Sequence, residues 1–143
     1  MHEDCIFCQI VANKIPNVTV YEDDVVKAFL DITQVTPGHT LLVPKQHVDD
    51  IFAYDADLAA AVFSRVPLVA KAIKASDPRI LGMNIMNNNG TVAYQSVFHS
   101  HIHLLPRYGE DDDFSIHFGD HASDYDHDQL EAIAQRIRAH VED

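Results

Sequence analysis

The chain has 143 residues, of which 22 are acidic and 10 are basic, so its formal net charge at pH 7 is −12. This charge disfavours binding to nucleic-acid backbones and to anionic membrane surfaces, and no apolar run approaches the ~20 residues of a membrane-spanning helix. The length fits one domain over 1–143, and an N-terminus with neither a basic nor an apolar stretch predicts a cytoplasmic protein.

Short apolar stretches bounded by turn residues predict five strands along the chain. They lie at 19–21, 25–30, 40–43, 80–87 and 97–105. The connections at 22–24, 36–38 and 88–90 are rich in Asp, Asn, Pro and Gly, which are residues typical of turns. We therefore expect an α+β fold, in which an antiparallel sheet of about five strands packs against helices.

One long helix and one C-terminal helix are predicted from residue spacing. Apolar residues recur at helical intervals over 57–74, and Pro67 within this stretch predicts a kink. The C-terminal helix should begin at Asp128, because Glu131 three residues later forms a capping-box pattern. Its apolar stripe consists of Leu130, Ile133, Ile137 and Val141.

The fifth predicted strand carries the most informative pattern in the sequence. Because successive side chains of a strand alternate between its faces, His99, His101 and His103 should lie in one row, about 7 Å apart. The opposite face would belong to the core. It carries Phe98, Ser100, Ile102 and Leu104.

Three interpretations of the histidine row are open from the residues alone. It is a chance run of surface histidines, a catalytic metal site with imidazole ligands, or a site of nucleophilic catalysis by one histidine. A neutral imidazole is nucleophilic near pH 7, and the phosphorus–nitrogen bond that it forms is labile. Attack on phosphorus by histidine would thus divide one difficult displacement into two easier ones.

Cys5 and Cys8 are the two cysteines of the chain, and they are spaced Cys-x-x-Cys. A bridge across so short a loop would stabilise little. In a cytoplasmic protein this spacing indicates half of a metal site or a redox pair, and the thioredoxin-like pattern of the redox case does not follow.

The histidine segment resembles the signature of the histidine-triad (HIT) family, in which three histidines alternate with apolar residues and two apolar residues follow. Blocks at 5–8, 28–32, 37–47, 87–90 and 95–99 resemble the family in order and spacing. The similarity covers about 5–107, and 108–143 would be an extension that carries the terminal helix. Ser100 stands where the signature prefers an apolar residue, and Tyr94 stands where many members have Gly.

The resemblance implies a role for each matching residue. His101 would be the nucleophile, and His103 and His39 would assist at the phosphate. A purine nucleotide or nucleotide conjugate would be bound by Phe7, Ile10, Phe29, Asp31, Ile32, Asn88, Gln95, Ser96, His101 and His103. Core packing is a rival role for Ile10 and Phe29, turn formation for Asn88, and a strand-end cap for Asp31. A structural zinc would be held by Cys5, Cys8, His47 and His99, the rival being reduced thiols without a metal.

The expected activity is hydrolysis of a nucleoside 5′-phosphate derivative, such as a phosphoramidate or an acyl-adenylate, through a nucleotidyl-histidine, with release of a nucleoside monophosphate. Alternatives are cleavage of diadenosine polyphosphates, a nucleotide-binding regulatory module with little turnover, and a catalytic metalloenzyme. Zinc would not be required for the chemical step. The resemblance also implies a homodimer, and we expect neither nucleic acid nor a membrane as a partner.

Overall fold

A five-stranded antiparallel sheet forms the centre of the protein in the computed structural model, which describes residues 2–141. The strands are β1 (Thr19–Glu22), β2 (Val26–Leu30), β3 (Thr40–Pro44), β4 (Gly82–Met86) and β5 (Ile102–Arg107). The helices are α1 (Ile6–Val11), α2 (Ala56–Phe63), α3 (Arg65–Ser76) and α4 (His127–Arg138). The order across the sheet is β1-β2-β3-β5-β4, and every pair is antiparallel. The predicted α+β class is confirmed.

Both faces of the sheet are covered, because β2, β3 and β5 send alternate apolar side chains to opposite sides. One face packs against α2 and α3, and the other packs against α1. The strand residues on the first face are Val26, Ala28, Leu42, Ile102 and Leu104. Those on the second are Phe29, Leu41 and Val43, beside Phe7 and Ile10 of α1. His103 belongs to β5 between Ile102 and Leu104, so its side chain lies on the α1 face of the sheet.

Lys27 of β2 fixes the end of α1 on this sheet. Its side chain is fully buried, and its ammonium donates to the carbonyl of Ile10 at 3.2 Å and to Oδ1 of Asn13 at 2.7 Å. A buried charge is tolerated only where such partners replace water. The pairing therefore holds α1, and the side chains that it carries, at a defined place above the strands.

The long helix predicted over 57–74 is divided into α2 and α3 at Ser64, whose backbone stays in the right-handed helical region. Pro67 is the third residue of α3. A proline at that position costs no helical hydrogen bond, because the first turn has no acceptors for its N–H groups. The helix is therefore interrupted just upstream of the proline.

The fifth strand was predicted to begin at residue 97, and this start is wrong. β5 begins at Ile102, since the N–H of Ser100 donates to the carbonyl of Val48 at 2.7 Å instead of entering the sheet. Phe98, predicted to lie in the core, is 48% exposed. His99 and His101 thus occupy an irregular segment that leads into the strand.

The strand also continues beyond its predicted end at residue 105, through Pro106 to Arg107. The carbonyl of Pro106 accepts a hydrogen bond from Thr36, on the side where the pairing with β3 has already stopped at Leu104 and Thr40. In an antiparallel strand the nitrogen and the carbonyl of one residue point to the same side. Because Pro106 has no N–H where β3 pairing has ended, the sheet loses no hydrogen bond between strands.

The C-terminal helix starts two residues earlier than predicted. Asp126, not Asp128, is the N-cap, and it forms a reciprocal capping box with Gln129. The predicted apolar stripe is largely exposed at Leu130, Ile137 and Val141. No helix within 2–141 has the length and apolarity needed to cross a membrane.

Candidate active site

A cavity of about 670 Å³ opens on the α1 face of the sheet and brings most of the predicted nucleotide residues together. Of these residues, the cavity is lined by Phe7, Ile10, Phe29, Asp31, Ile32, Ser96, His101 and His103. Sequence analysis had not assigned Ile6, Ile15, Pro16, Asn17 or Val18, which complete its walls. Ile6 is the first residue of α1, and the other four follow that helix in the chain. No motif distinguished those four from an ordinary loop.

The apolar side of the cavity is built by aromatic rings in contact. Phe7 and Phe29 meet edge to face with their ring centroids 5.7 Å apart, and Phe7 meets the ring of His101 at 5.0 Å. Phe7, Ile10 and Phe29 are buried, whereas Ile32 stands exposed at the rim. A slot of this kind binds a flat ring by contact area.

His101 lies at the boundary between the apolar slot and the polar end of the cavity. Its Nδ1 lies 2.8 Å from the carbonyl oxygen of His99. Because a carbonyl only accepts, Nδ1 carries the proton, and the lone pair of the neutral ring is on Nε2. Burial lowers the pKa of His101 below its ordinary value, so the ring is neutral at pH 7 and able to act as a nucleophile.

His39 and His103 form a second imidazole pair beside His101. Nε2 of His39 lies 3.0 Å from Nδ1 of His103, and the ring centroids of His101 and His103 are 5.2 Å apart. Burial lowers the pKa of His39, and burial together with neighbouring imidazoles lowers that of His103 to about 4. Both rings are therefore neutral near pH 7.

Asp31 supplies the carboxylate of the polar end. Its Oδ1 accepts from the N–H and the hydroxyl of Thr33, at 2.8 and 2.7 Å, and its Oδ2 lies 3.8 Å from Nε2 of His39. Burial alone would raise its pKa, but the hydrogen bonds from Thr33 and the nearby histidines outweigh it, so the pKa is lowered. The group is thus an ionised acceptor at neutral pH.

The loop between β4 and β5 contains the other predicted phosphate contacts, and Gln95 organises it from within. Its side-chain oxygen accepts from the N–H of Gly90 at 2.8 Å, and its amide group donates to the carbonyls of Asp49 and Val97. Gln95 is buried, and neither it nor Asn88 lines the cavity. A direct contact of either residue with phosphate stays a prediction.

Two residues of this loop have roles that sequence reasoning missed. Asn87 donates from Nδ2 to the carbonyl of His101 at 3.0 Å, and Asn89 accepts from the N–H of Ile51 at 2.7 Å. The run of asparagines had indicated only a turn. Tyr94, which stands where many members of the family have Gly, also lies in this loop. Its φ of 72° is left-handed and typical of glycine.

Cys5, Cys8, His47 and His99 converge at a second site, with one ligand atom from each within 4.8 Å of the others. Nδ1 of His99 lies 3.4 Å from Sγ of Cys5 and 3.5 Å from Sγ of Cys8, and Nδ1 of His47 lies 3.3 Å from Sγ of Cys8. In a tetrahedral zinc site with usual bond lengths, sulfur and nitrogen ligands lie about 3.5 Å apart. These three distances match that geometry, so the cluster could hold a metal ion.

The hydrogen bonds around this cluster also suit a metal. Nε2 of His99 faces the carbonyl of Pro44 at 2.8 Å, and Nε2 of His47 faces a carboxylate oxygen of Asp49 at 2.9 Å. Both outer nitrogens are therefore donors, and both Nδ1 atoms are free to ligate. Asp49 had not been assigned a role, although its position two residues after His47 was the signal available.

Comparison with known proteins agrees with this geometry. The family model described as HIT domain matches residues 12–110. "Protein hit" of Bacillus subtilis is 47% identical over 135 residues, which covers 94% of this chain and 92% of that protein. A crystal structure of a HIT family member from Bacillus subtilis superposes with a TM-score of 0.95 at 45% identity, with 99% of each chain covered.

Two relatives have names that state an activity, and one structure has a title that states a metal. Adenosine 5′-monophosphoramidase hnt1 of Schizosaccharomyces pombe is 32% identical, with 96% of this chain and 98% of that protein covered. Adenylylsulfatase HINT3 of Arabidopsis thaliana is 38% identical, with 75% of this chain and 54% of that protein covered. A Zn-bound histidine triad family protein from Mycobacterium smegmatis has a TM-score of 0.73 at 32% identity, over 95% of this chain and 96% of that one.

Proposed function

The chain belongs to the HIT family, and on that basis we propose that it hydrolyses nucleoside 5′-phosphate derivatives through a nucleotidyl intermediate on His101. Proteins of this family bind nucleotides, and its members include hydrolase-type relatives of this chain. The observation that carries the proposal is the Nδ1 contact of His101 with the carbonyl of His99. Because Nδ1 carries the proton, the lone pair is on Nε2 of a ring that borders the cavity, and this supports a nucleophilic role for His101.

In the first step Nε2 of His101 attacks the α-phosphorus, and the bond from phosphorus to the leaving group breaks. The leaving group is an amine or an acyl oxygen, and it departs with the bonding electrons. A departing amine takes up one proton from solvent, and the water that attacks in the second step releases one proton to solvent. In the second step water attacks the same phosphorus, the phosphorus–nitrogen bond to His101 breaks, and a nucleoside monophosphate is released.

Recognition of the nucleotide would divide between the two ends of the cavity. Phe7, Ile10, Phe29 and Ile32 would hold a purine by contact area. Asp31 would accept hydrogen bonds from the ribose hydroxyls through an ionised carboxylate. This arrangement needs no basic patch, in agreement with the acidic charge of the chain.

Only uncharged hydrogen-bond donors would contact the phosphate. His103, with its partner His39, would stabilise the charge that develops on the phosphate oxygens, as would Ser96 and Asn88 from the loop. Gln95 would hold this loop in place, because its side-chain amide already donates to the carbonyls of Asp49 and Val97. His39 is buried and His103 is half-buried, and the uncharged state of both rings agrees with this role.

A structural zinc would be held by the four ligands Cys5, Cys8, His47 and His99, where it would tie the N-terminal segment to the residues before β5. Free thiols that serve as ligands agree with a reducing, cytoplasmic location. The chemical step would not involve this metal, because His101 itself attacks the phosphorus. A homodimer remains the expected assembly.

The decisive experiment is to trap the intermediate. Purified protein is mixed with adenosine 5′-monophosphoramidate, quenched at short times and examined by mass spectrometry for an adenylyl group on His101. His101→Ala should lose the adduct and nearly all turnover, by about 10⁴-fold or more, and should still bind AMP. His121→Ala, a change at an exposed histidine, is the matched control. Full activity without His101 would refute the mechanism.

The same preparation separates the alternatives. Faster turnover of a diadenosine polyphosphate than of the phosphoramidate would favour the polyphosphate hydrolase. Binding of AMP without turnover of either would favour a regulatory module. If chelation abolished activity at once while the protein stayed folded, a catalytic metal would replace His101 as the agent.

A further inference from the structure

A second set of candidate metal ligands lies at the polar end of the cavity, which Asp31 and His103 line. Asp31, His39 and His103 each present one ligand atom, and these atoms lie within 4.8 Å of one another. Two neutral imidazoles and one carboxylate form a ligand set suited to divalent transition metals. Nothing in the proposed hydrolysis uses these groups as ligands.

The distances between the three atoms are close to those of a metal site. Nε2 of His39 is 3.0 Å from Nδ1 of His103 and 3.8 Å from Oδ2 of Asp31. Ligands bound tetrahedrally to zinc at usual bond lengths lie about 3.3 to 3.4 Å apart. Shifts of a few tenths of an ångström would bring all three into place.

The protonation of the three groups also allows ligation. Oδ2 of Asp31 is not used by the two hydrogen bonds from Thr33, both of which reach Oδ1. Nε2 of His39 and Nδ1 of His103 share one proton. That proton can move to the other nitrogen of its own ring, which frees both facing nitrogens for a metal. Nδ1 of His39 is buried and has no hydrogen-bond partner within 2–141, so no existing contact fixes the proton arrangement of that ring.

We propose that Asp31, His39 and His103 form a second Zn²⁺ site, weaker than the thiolate cluster, which excludes nucleotide when it is occupied. The site has three protein ligands and borders the cavity, so water would complete the coordination. The cluster at Cys5 and Cys8 has four ligands, two of them thiolates, and should therefore fill first. The metal site stands on its own geometry, whereas the exclusion of nucleotide depends on the proposed function.

Exclusion follows because the same atoms would serve both ligands. Oδ2 of Asp31 cannot accept from a ribose hydroxyl while it is bound to a metal, and His103 cannot turn toward a phosphate. Free zinc would therefore act as an inhibitor that competes with the substrate. This is the opposite of a catalytic metal, whose addition would raise activity.

Cobalt distinguishes the two sites by its absorption. The whole protein is first equilibrated with one equivalent of Zn²⁺ per chain and is then titrated with Co²⁺. We expect a visible d–d band that saturates near one further equivalent and carries no thiolate-to-cobalt charge transfer. No visible band, or a band with thiolate charge transfer only, would overturn the proposed site.

Matched variants locate the metal. Asp31→Asn and His103→Gln each remove one ligand and nearly preserve side-chain volume, so the apparent affinity for Co²⁺ should fall at least tenfold. His121→Ala breaks an exposed histidine–aspartate pair and should leave the titration unchanged. If both cavity variants kept the wild-type affinity, or if His121→Ala abolished the band, the assignment would be wrong.

AMP tests the exclusion separately. Increasing AMP should raise the apparent dissociation constant for Co²⁺ in proportion to the fraction of chains that bind nucleotide. An unchanged cobalt titration in the presence of bound AMP would contradict exclusion and leave the metal site standing. A failure of the proposed hydrolysis would appear in the trapping experiment and would not alter the titration without nucleotide.

Discussion

The backbone carbonyl of His99 accepts the hydrogen bond from Nδ1 of His101, at 2.8 Å. The side chain of the same His99 faces the sulfurs of Cys5 and Cys8. One residue thus connects the thiol cluster with the ring proposed to attack phosphorus. Anything that displaces His99 should alter the orientation of His101, although the two sites use different atoms.

Removal of a ligand at the thiol cluster should therefore reduce both stability and turnover. For Cys8→Ser we expect a loss of about 2 kcal/mol or more, which lowers the melting temperature by roughly 6 °C at this chain length. Calorimetry with and without a chelator measures the effect.

The wild type should lose stability on chelation, and Cys8→Ser should respond little, because its cluster is already impaired. If a chelator changed neither the melting temperature nor the metal content of the wild type, the four side chains would hold no metal.

Asp31 should discriminate between ribose and dideoxyribose. Asp31→Asn replaces an ionised acceptor by an amide, so we expect the affinity for AMP to fall by about tenfold, equivalent to one hydrogen bond to a charged group. The affinity for 2′,3′-dideoxy-AMP should be nearly the same in wild type and variant. Calorimetric titration of both nucleotides checks this. If the variant lost the same affinity for both nucleotides, Asp31 would not contact the ribose hydroxyls.

Asn87 should act on turnover through His101 without touching the nucleotide. Asn87→Ala removes the donor to the carbonyl of His101, so the segment before β5 should become less rigid. We expect kcat to fall about tenfold, the cost of one net hydrogen bond, with KM nearly constant. Steady-state kinetics decide the matter, and a rise in KM alone would place Asn87 in substrate binding instead.

Asp23 should make stability depend on pH. Its carboxylate accepts from the N–H groups of Val25 and Val26 and from Nε of Arg65 at 2.9 Å. Burial opposes ionisation, but these hydrogen bonds outweigh it, and the pKa of Asp23 lies well below its usual range. A carboxyl whose pKa is lower in the folded chain stabilises the fold above its unfolded pKa, and the stabilisation is lost as pH falls.

The corresponding variant is Asp23→Ala, which should be about 2 kcal/mol less stable than the wild type near neutral pH. Below about pH 4, the usual aspartate value, the difference should shrink steadily. Urea unfolding at several pH values measures it. A difference that stayed constant from pH 7 to pH 3 would show that ionisation of Asp23 does not matter.

Gly90 should resist substitution for reasons of backbone conformation alone. Its φ of 91° and ψ of 154° fall in a region that only glycine occupies readily. A Cβ added there would meet nothing within 4 Å, so Gly90→Ala should cost about 1 to 3 kcal/mol through strain. Gly109→Ala, which has equal space and no positive φ, is the control. Equal stability of the two variants would contradict this account.

Local pattern sufficed for the parts of the fold in which neighbours along the chain pair in space. The strands near Val26 and Leu42 follow from apolar stretches bounded by turn residues, and the interruption of the helix before Pro67 follows from the proline ring. The start of β5 did not follow, because Ser100 bonds to Val48, more than fifty positions earlier. Spacing within one segment contains no information about such a contact.

The candidate site also contains residues that the sequence identified and residues that it did not. The similarity to a family indicated His101 and the thiol cluster, and the family and fold are confirmed. The hydrogen bond of Asn87 to the carbonyl of His101, the contact of Asp49 with His47 and the apolar wall near Val18 depend on loops that fold against one another. Their residue types are ordinary for turns, so nothing in the local sequence distinguished them.

The position of β5 between β3 and β4 has a consequence for biosynthesis. A chain emerging from the ribosome completes β3 and β4 before β5 exists, so one edge of β3 is then unpaired and β4 has no neighbouring strand. Such edges invite pairing with other chains. The strand that brings His103 into the cavity is also the one that pairs with both, so these edges stay unpaired and the cavity stays incomplete until residue 107 has left the exit tunnel.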